Sequence, residues 1–230
     1  MSRFRWYGAN WPYSMRVMAK RLNSQVFDEN SVEGFVIDRV RDCFVEARYI
    51  ERIEFTDTIT DPFGNELVYP RIDFRTCEFR ISQDGPGLEL IDSPRSTQGM
   101  LSRLAEAADF SLAVTPLKID VLAWANLLQT VTDIDMSVDS LQIGSIELEP
   151  DIVAKVIIKG SRDVRDAATV LTNGKQHNIE KIQLRFRGKW NGTILLTNVG
   201  GAKIDVDRRD EITLFLRDAL HKLLLETSGK

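Results

Sequence analysis

The sequence predicts an α+β protein with largely antiparallel sheet, and three observations predict it. Apolar residues alternate over Cys43, Val45, Ala47 and Tyr49 and resume at Ile53 and Phe55, the period of a strand with one buried face. Asp61-Pro62-Phe63-Gly64 then places Asp, Pro and Gly at the first, second and fourth positions that a type I turn favours. A second run from about Leu67 to Ile81 completes a long β-hairpin over residues 43–81. Towards the C-terminus, Ile212, Phe215, Leu216, Ala219, Leu220 and Leu223 recur at helical spacing after Asp207. That pattern predicts an amphipathic C-terminal helix packed on a sheet.

The other elements follow in chain order. Residues 1–7 read as a short strand or extended arm. Residues 14–22 read as a helix with Met15, Met18 and Leu22 on one face. Residues 31–41 suit a helix or a strand. Within the hairpin the apolar phase slips after Tyr49, which suggests a bulge or a change of covered face. Closing the turn as a four-residue unit pairs Thr60 with Asn65. Carried back, that register sets Ile53 opposite Ile72, Glu54 opposite Arg71 and Arg52 opposite Asp73. Pro70 removes one ladder donor.

Leu88 to Ile91 is a third strand, and Asp92 to Gln98 is a polar, proline-containing linker. The soft boundary there divides the chain into a β-rich part, 1–96, and an α+β part, 97–230, or leaves one continuous domain. Helices are expected over 99–109 and 119–131, and strands over 110–115, 133–142 and 144–149. Ile152 to Lys159 is rich in β-branched residues and reads as a strand buried on both faces. Ser161 caps a helix running to about Leu171. Ile179 to Trp190 alternates, and Asn191-Gly192 is a type I′ hairpin signal. Four to five helices result in all. Lys-Ile-Asp-Val occurs at 118–121 and at 203–206, but the flanks differ and the match reads as coincidence.

The chain has 230 residues, 43% apolar and 28% charged, an ordinary globular composition. No apolar run approaches the ~18–20 residues that span a bilayer, so no membrane partner is expected. The basic, aromatic N-terminus is not followed by an apolar stretch with a cleavage site, unlike a secretory signal. Cys43 and Cys77 are too few for a disulfide scaffold and show no metal-ligand spacing, so the expected location is cytoplasmic. The net charge of −4 is unevenly spread. Residues 1–27 hold five bases and no acid, 28–160 hold 25 acids and 12 bases, and 161–230 hold 13 bases and 9 acids. An acidic middle between basic ends suits self-association or a polyanionic partner.

No cofactor is expected. His177 and His221 lack neighbours at triad or ligand spacing, and no phosphate-cradling loop precedes a helix. Three readings follow. The first is a non-enzymatic interaction subunit acting through protein contacts in a homo-oligomer or larger complex. It draws on the nearly all-apolar 119–131 segment, with Leu122, Trp124, Leu127 and Leu128 as interface candidates, on the long hairpin as an element that presents an edge, and on the opposed charges of ends and middle. The second is DNA or RNA binding. Arg3, Arg5, Trp6, Arg16, Lys20 and Arg21 supply charge and an aromatic face, and Lys181, Arg185 and Arg187 add a basic row on a strand. The third is a metal-dependent nuclease, for which Asp151 and Asp207 are the candidate carboxylates.

Overall fold

The structure, a computed structural model, describes residues 1–132, 134–149 and 151–228. Residue 133, the start of one predicted strand, lies outside them. The architecture is α+β, with antiparallel sheet and five α-helices. In chain order the first elements are β1 (Ser2–Ala9), α1 (Met15–Asn23), β2 (Glu33–Val40), β3 (Phe44–Thr60), β4 (Glu66–Ser82), β5 (Gly87–Ile91) and α2 (Gln98–Ala107). Then come β6 (Val114–Pro116), α3 (Val121–Thr132), β7 (Met136–Glu149), β8 (Ile152–Lys159), α4 (Arg165–Thr172), β9 (His177–Phe186), β10 (Gly192–Thr197), β11 (Gly201–Val206) and α5 (Arg209–Ser228). None of the described helices is long and apolar enough to cross a membrane.

The element order repeats. A strand, a helix, four strands and a helix run from β1 to α2. The same series runs from β6 to α5 once β8 and α4 are taken out as an insertion. The two Lys-Ile-Asp-Val segments sit at unlike places in this scheme. Lys118–Val121 leads into α3, whereas Lys203–Val206 lies inside β11.

The chain forms two compact units. The first comprises Met1–Ala9, Asp84–Glu89 and Val114–Lys230, and the second Asn10–Gln83 and Leu90–Ala113. In the first unit β1, β11, β10, β9, β7 and β8 are successive neighbours, with β6 also on β1. One face of this sheet carries Phe4, Trp6, Ile204, Ile194, Leu196, Ile182 and Leu184, all buried. Against it lie Trp124 and Leu128 of α3 and Ile212, Leu216 and Leu220 of α5, also buried. The Trp6 ring meets Trp124 edge-on at 5.6 Å, and the Trp124 Nε1–H donates to the Leu216 carbonyl at 3.1 Å.

One carboxylate ties this core together. Glu89 is 3% exposed. Its Oε2 accepts from Trp6 Nε1 at 2.8 Å, and the Arg217 guanidinium grips both carboxylate oxygens, each at 2.7 Å. The strand bearing Glu89 lies very close to β1. A Cβ on Gly87, whose φ is +89°, would stand 2.0 Å from the Ala9 carbonyl oxygen, so only glycine fits there.

In the second unit β2, β3 and β4 form the sheet, and α1 and α2 pack on its inner half. Phe35 sits at the centre, 5.4 Å from Tyr49 and 5.7 Å from Phe79 between ring centroids. Met15, Met18, Leu22, Met100 and Leu104 cover it from the helices.

Several expectations are corrected. Thr60 pairs with Glu66, one residue on from the predicted register, so Ile53 faces Asp73, Glu54 faces Ile72 and Arg52 faces Phe74. The type I turn is present, with Gly64 N–H donating to the Asp61 carbonyl at 3.0 Å. Gly64, however, has φ +88° and adds a bulge residue, and Asp61 then pairs with Asn65. The cross-strand charge pairs that form are Glu46–Arg80 at 2.9 Å, Glu51–Arg75 at 3.3 Å and Asp57–Arg71 at 3.4 Å. No bulge interrupts β3 and β4; the apparent phase slip marks where helix cover ends.

Of the two alternatives for 31–41 the strand forms, over Glu33–Val40, and Met136–Glu149 is one bulged strand rather than two. β8 is an exposed edge strand, so its β-branched residues reflect strand propensity and not burial. α4 starts at Arg165, where the Asp163 carboxylate, not Ser161, accepts from the Arg165 N–H at 2.9 Å. β9 and β10 are joined by residues 187–191, including a 3₁₀ turn at Gly188–Trp190, instead of a two-residue turn.

Replacing Glu89 by Ala removes one acceptor from Trp6 and Arg217 together. The variant is expected to lose ~3–5 kcal/mol of stability in urea unfolding, and Glu89→Gln, which keeps an acceptor for Trp6, is expected to lose less.

Candidate functional site

Two surfaces stand out, one in each unit. The first is the outer half of the hairpin. β2 accompanies β3 only as far as Glu33 opposite Glu51. Beyond that point residues 53–60 and 66–74 continue as a ribbon that is bare on both faces except at its base, where the Phe74 ring meets Phe27 edge-on at 6.1 Å. In the observed register Ile53, Phe55, Ile59, Leu67 and Tyr69 share one face, and Val68, Ile72 and Phe74 share the other. Phe63 caps the turn, 88% exposed. Of these, Phe55, Ile59, Phe63, Leu67, Val68, Tyr69, Ile72 and Phe74 are all exposed large apolar residues. Polar partners are few: Arg71 reaches Asp57 at 3.4 Å and stacks on Phe55 at 5.1 Å.

The second surface is the sheet face of the first unit turned away from α3 and α5. Alternation decides it. With Phe4 and Trp6 in the core, Arg3, Arg5 and Tyr7 point the other way. The pairing then sets two rows across six strands. One row runs Arg3, Lys203, Leu195, Gln183, Ser140, Lys159, and the other Arg5, Gly201, Thr197, Lys181, Gln142, Ile157. Arg185 lies in a third row beside Thr193 and Asp205. Six strands span about 24 Å at the usual spacing. Arg3, Arg5, Lys155, Lys159, Lys181, Arg185 and Lys203 bring seven bases to this face, and Asp139, Glu147, Glu180 and Asp205 bring four acids. Asp139 accepts from Arg185 at 2.7 Å, and Glu180 accepts from Lys155 at 3.0 Å and from Gln142 at 2.5 Å. Glu180 crosses β7 over Gly144, where a Cβ would approach its carboxylate to 2.1 Å.

The structure thus brings Arg3, Arg5, Lys181 and Arg185 together, with exposed Arg187 one residue past the same strand. Trp6 points into the core, where a ligand cannot reach its ring. Arg16, Lys20 and Arg21 lie on α1 in the other unit. Arg16 pairs with Asp42 at 2.7 Å, and Arg21 binds Asp109 and stacks on Tyr13 at 4.5 Å. Trp124 and Leu128 are fully buried against α5 and the sheet, and Leu122 and Leu127 are half-buried. The apolar 119–131 segment is therefore largely core.

Asp151 and Asp207 share no metal site. Asp151 follows the end of β7, at φ +64°. Asp207 follows Val206, which is linked through Gly192 and Phe186 to Met136 at the start of β7. The length of β7 separates them by on the order of 40 Å, whereas metal ligands lie within ~2.6 Å of the ion. Among the described residues, no three His, Cys, Asp or Glu side chains are grouped to hold a metal. His177 lines an open cleft with Lys118, Asn178 and Asn198, but Asp120 there caps α3, accepting from the Leu122 and Ala123 N–H groups at 2.9 and 3.1 Å.

A polar knot lies inside the second unit. The Tyr49 hydroxyl donates to Glu33, and Arg103 Nε donates to the same carboxylate at 2.7 Å. The Tyr49 bond and the Arg103 charge hold Glu33 below the ordinary carboxylate range, and burial with the Glu33 contact pushes Tyr49 up. Nearby Cys77 is buried, and desolvation raises its thiol to about 12, so it stays protonated and unreactive at neutral pH.

Sequence reasoning missed Lys155, Lys159 and Lys203 because only strand pairing places them beside Arg3 and Arg5. It offers the long hairpin as an edge for contacts but not its bare outer faces, although the apolar residues of 67–74 fall on both parities, a pattern that one buried face does not explain. No protein-family model matches the chain, and no curated protein sequence matches it.

Two outcomes are expected. Native protein takes up one equivalent of iodoacetamide, at exposed Cys43, and a second only after unfolding; a mass measurement counts the adducts. Glu33 has a lowered folded pKa, so its contribution is present above its unfolded pKa and lost as pH falls through the folded value. Glu33→Gln should therefore flatten the loss of stability between about pH 5 and pH 3, followed by urea midpoints at each pH.

Proposed function

We propose that the protein is a non-enzymatic, cytoplasmic interaction subunit that acts through protein contacts, and that the outer hairpin is its contact element, meeting the hairpin of a second copy. The observation that carries this reading is the set of eight exposed large apolar side chains on a ribbon covered only at its base, by Phe27 against Phe74. Their exposed fractions sum to an apolar area on the order of 800 Å², what one partner brings to a standard interface. A two-stranded ribbon is marginally stable alone in water. The outer edge of β3 has no β2 partner beyond the Val32 carbonyl, which accepts from the Arg52 N–H at 2.7 Å. An unpaired edge invites another strand, and a two-fold pairing of like edges closes on itself without leaving a further sticky end.

Size-exclusion chromatography with light scattering tests this reading. A dimer is expected at micromolar concentration. Ile59 and Leu67 face each other across the ribbon, so changing both to Lys is expected to give a monomer with an unchanged circular dichroism spectrum. A wild-type monomer at that concentration would sink the proposal.

A further inference from the structure

We infer that the open sheet face of the first unit is a docking surface for the phosphodiester backbones of duplex DNA. This goes beyond self-association and rests on a different surface. The chain as a whole is acidic, at −4, yet this face gathers seven bases against four acids. Two of those acids are already paired with bases of the face, Asp139 with Arg185 and Glu180 with Lys155. Lys159, Lys181 and Lys203 are exposed and make no ion pair among the described residues. They stand on β8, β9 and β11, spread across most of the sheet's width.

Charge complementarity names the class of ligand, because such a field attracts a regular polyanion. At 0.1 M salt the Debye length is about 10 Å, so a ligand on this face is largely screened from acids elsewhere on the molecule. Width and chemistry narrow the choice. The bases cover about 24 Å across the strands, at the usual strand spacing, comparable with a duplex and much wider than one strand. Proteins that hold single strands offer exposed aromatic rings for unpaired bases. The rows hold no aromatic residue, and Tyr7, beside them on the same face of β1, is half-buried under Arg5, whose guanidinium lies 5.0 Å from the ring centroid. The inner side of the sheet belongs to α3 and α5, so the contact is made by side chains on strands and not by a helix in a groove. Binding of this kind reads backbone and shape, without base sequence.

Fluorescence anisotropy with a labelled 20-base-pair DNA duplex of arbitrary sequence tests the inference on the full chain. Binding is expected to weaken with salt, and removing one phosphate-binding base makes the log–log slope shallower by about 0.9. The triple variant Lys159→Ala, Lys181→Ala, Lys203→Ala should therefore lose about 40-fold of the weakening between 50 and 200 mM salt, with circular dichroism confirming the fold. Lys20→Ala, on the other unit, should change nothing. The Ile59→Lys, Leu67→Lys monomer should still bind, which separates this inference from the dimer reading. Failure of the wild type to bind the duplex at 50 mM salt overturns the inference. So does equal affinity of the triple variant, and so does tighter binding of single-stranded DNA, duplex RNA, poly-glutamate or anionic phospholipid vesicles than of the duplex.

Discussion

The Glu89 carboxylate is the constraint on which the first unit depends. It sits almost without solvent contact and is held by three donor bonds, one from Trp6 and two from Arg217. A buried charge is tolerable only when so matched. Because its partners come from β1 and α5, the match fixes both at once. Trp6 must face inward to reach Glu89, and strand alternation then sends Arg3 and Arg5 outward. The polarity of the whole sheet follows, with tryptophans, leucines and isoleucines on one side and the basic rows on the other. What looks like a surface property is thus set by one bond in the core.

The second unit resolves its polar demands differently. Glu33, Tyr49 and Arg103 knit β2, β3 and α2 together at a partly open edge, while Phe35 anchors the apolar packing. That order stops near Glu51. Past it, β3 and β4 keep their ladder without a break but, beyond the contact of Phe74 with Phe27, leave their apolar side chains exposed. The ladder gives the ribbon shape, and exposed apolar surface gives it a reason to associate.

The parts of the fold that follow from short-range pattern are legible in the sequence. The hairpin is readable because alternation and turn chemistry agree, and α5 because its apolar spacing spans several turns. Register is not readable. The preferences of Asp61, Pro62 and Gly64 describe the turn but not the extra bulge residue that Gly64 adds at positive φ, and one residue exchanges every facing pair. The exposure of β8 is hidden because β-branched residues suit an edge strand as well as a central one. Trp6 passes for a stacking group because alternation separates its face from that of Arg3 and Arg5 without saying which face is covered. The basic face joins residues from 3 to 203, and only the pairing of six strands brings them together.

The repeated order of elements carries one more consequence. β8 and α4 have no counterpart in the first series, and β7 pairs directly with β9 without them. The framework therefore closes on its own, and the β8–α4 segment extends its rim. Lys155 and Lys159 both lie on that extension. The segment holds to the framework through buried Val164 and Ala168, while both lysines stand exposed on its free edge, where a change of charge leaves the packing of the other strands untouched.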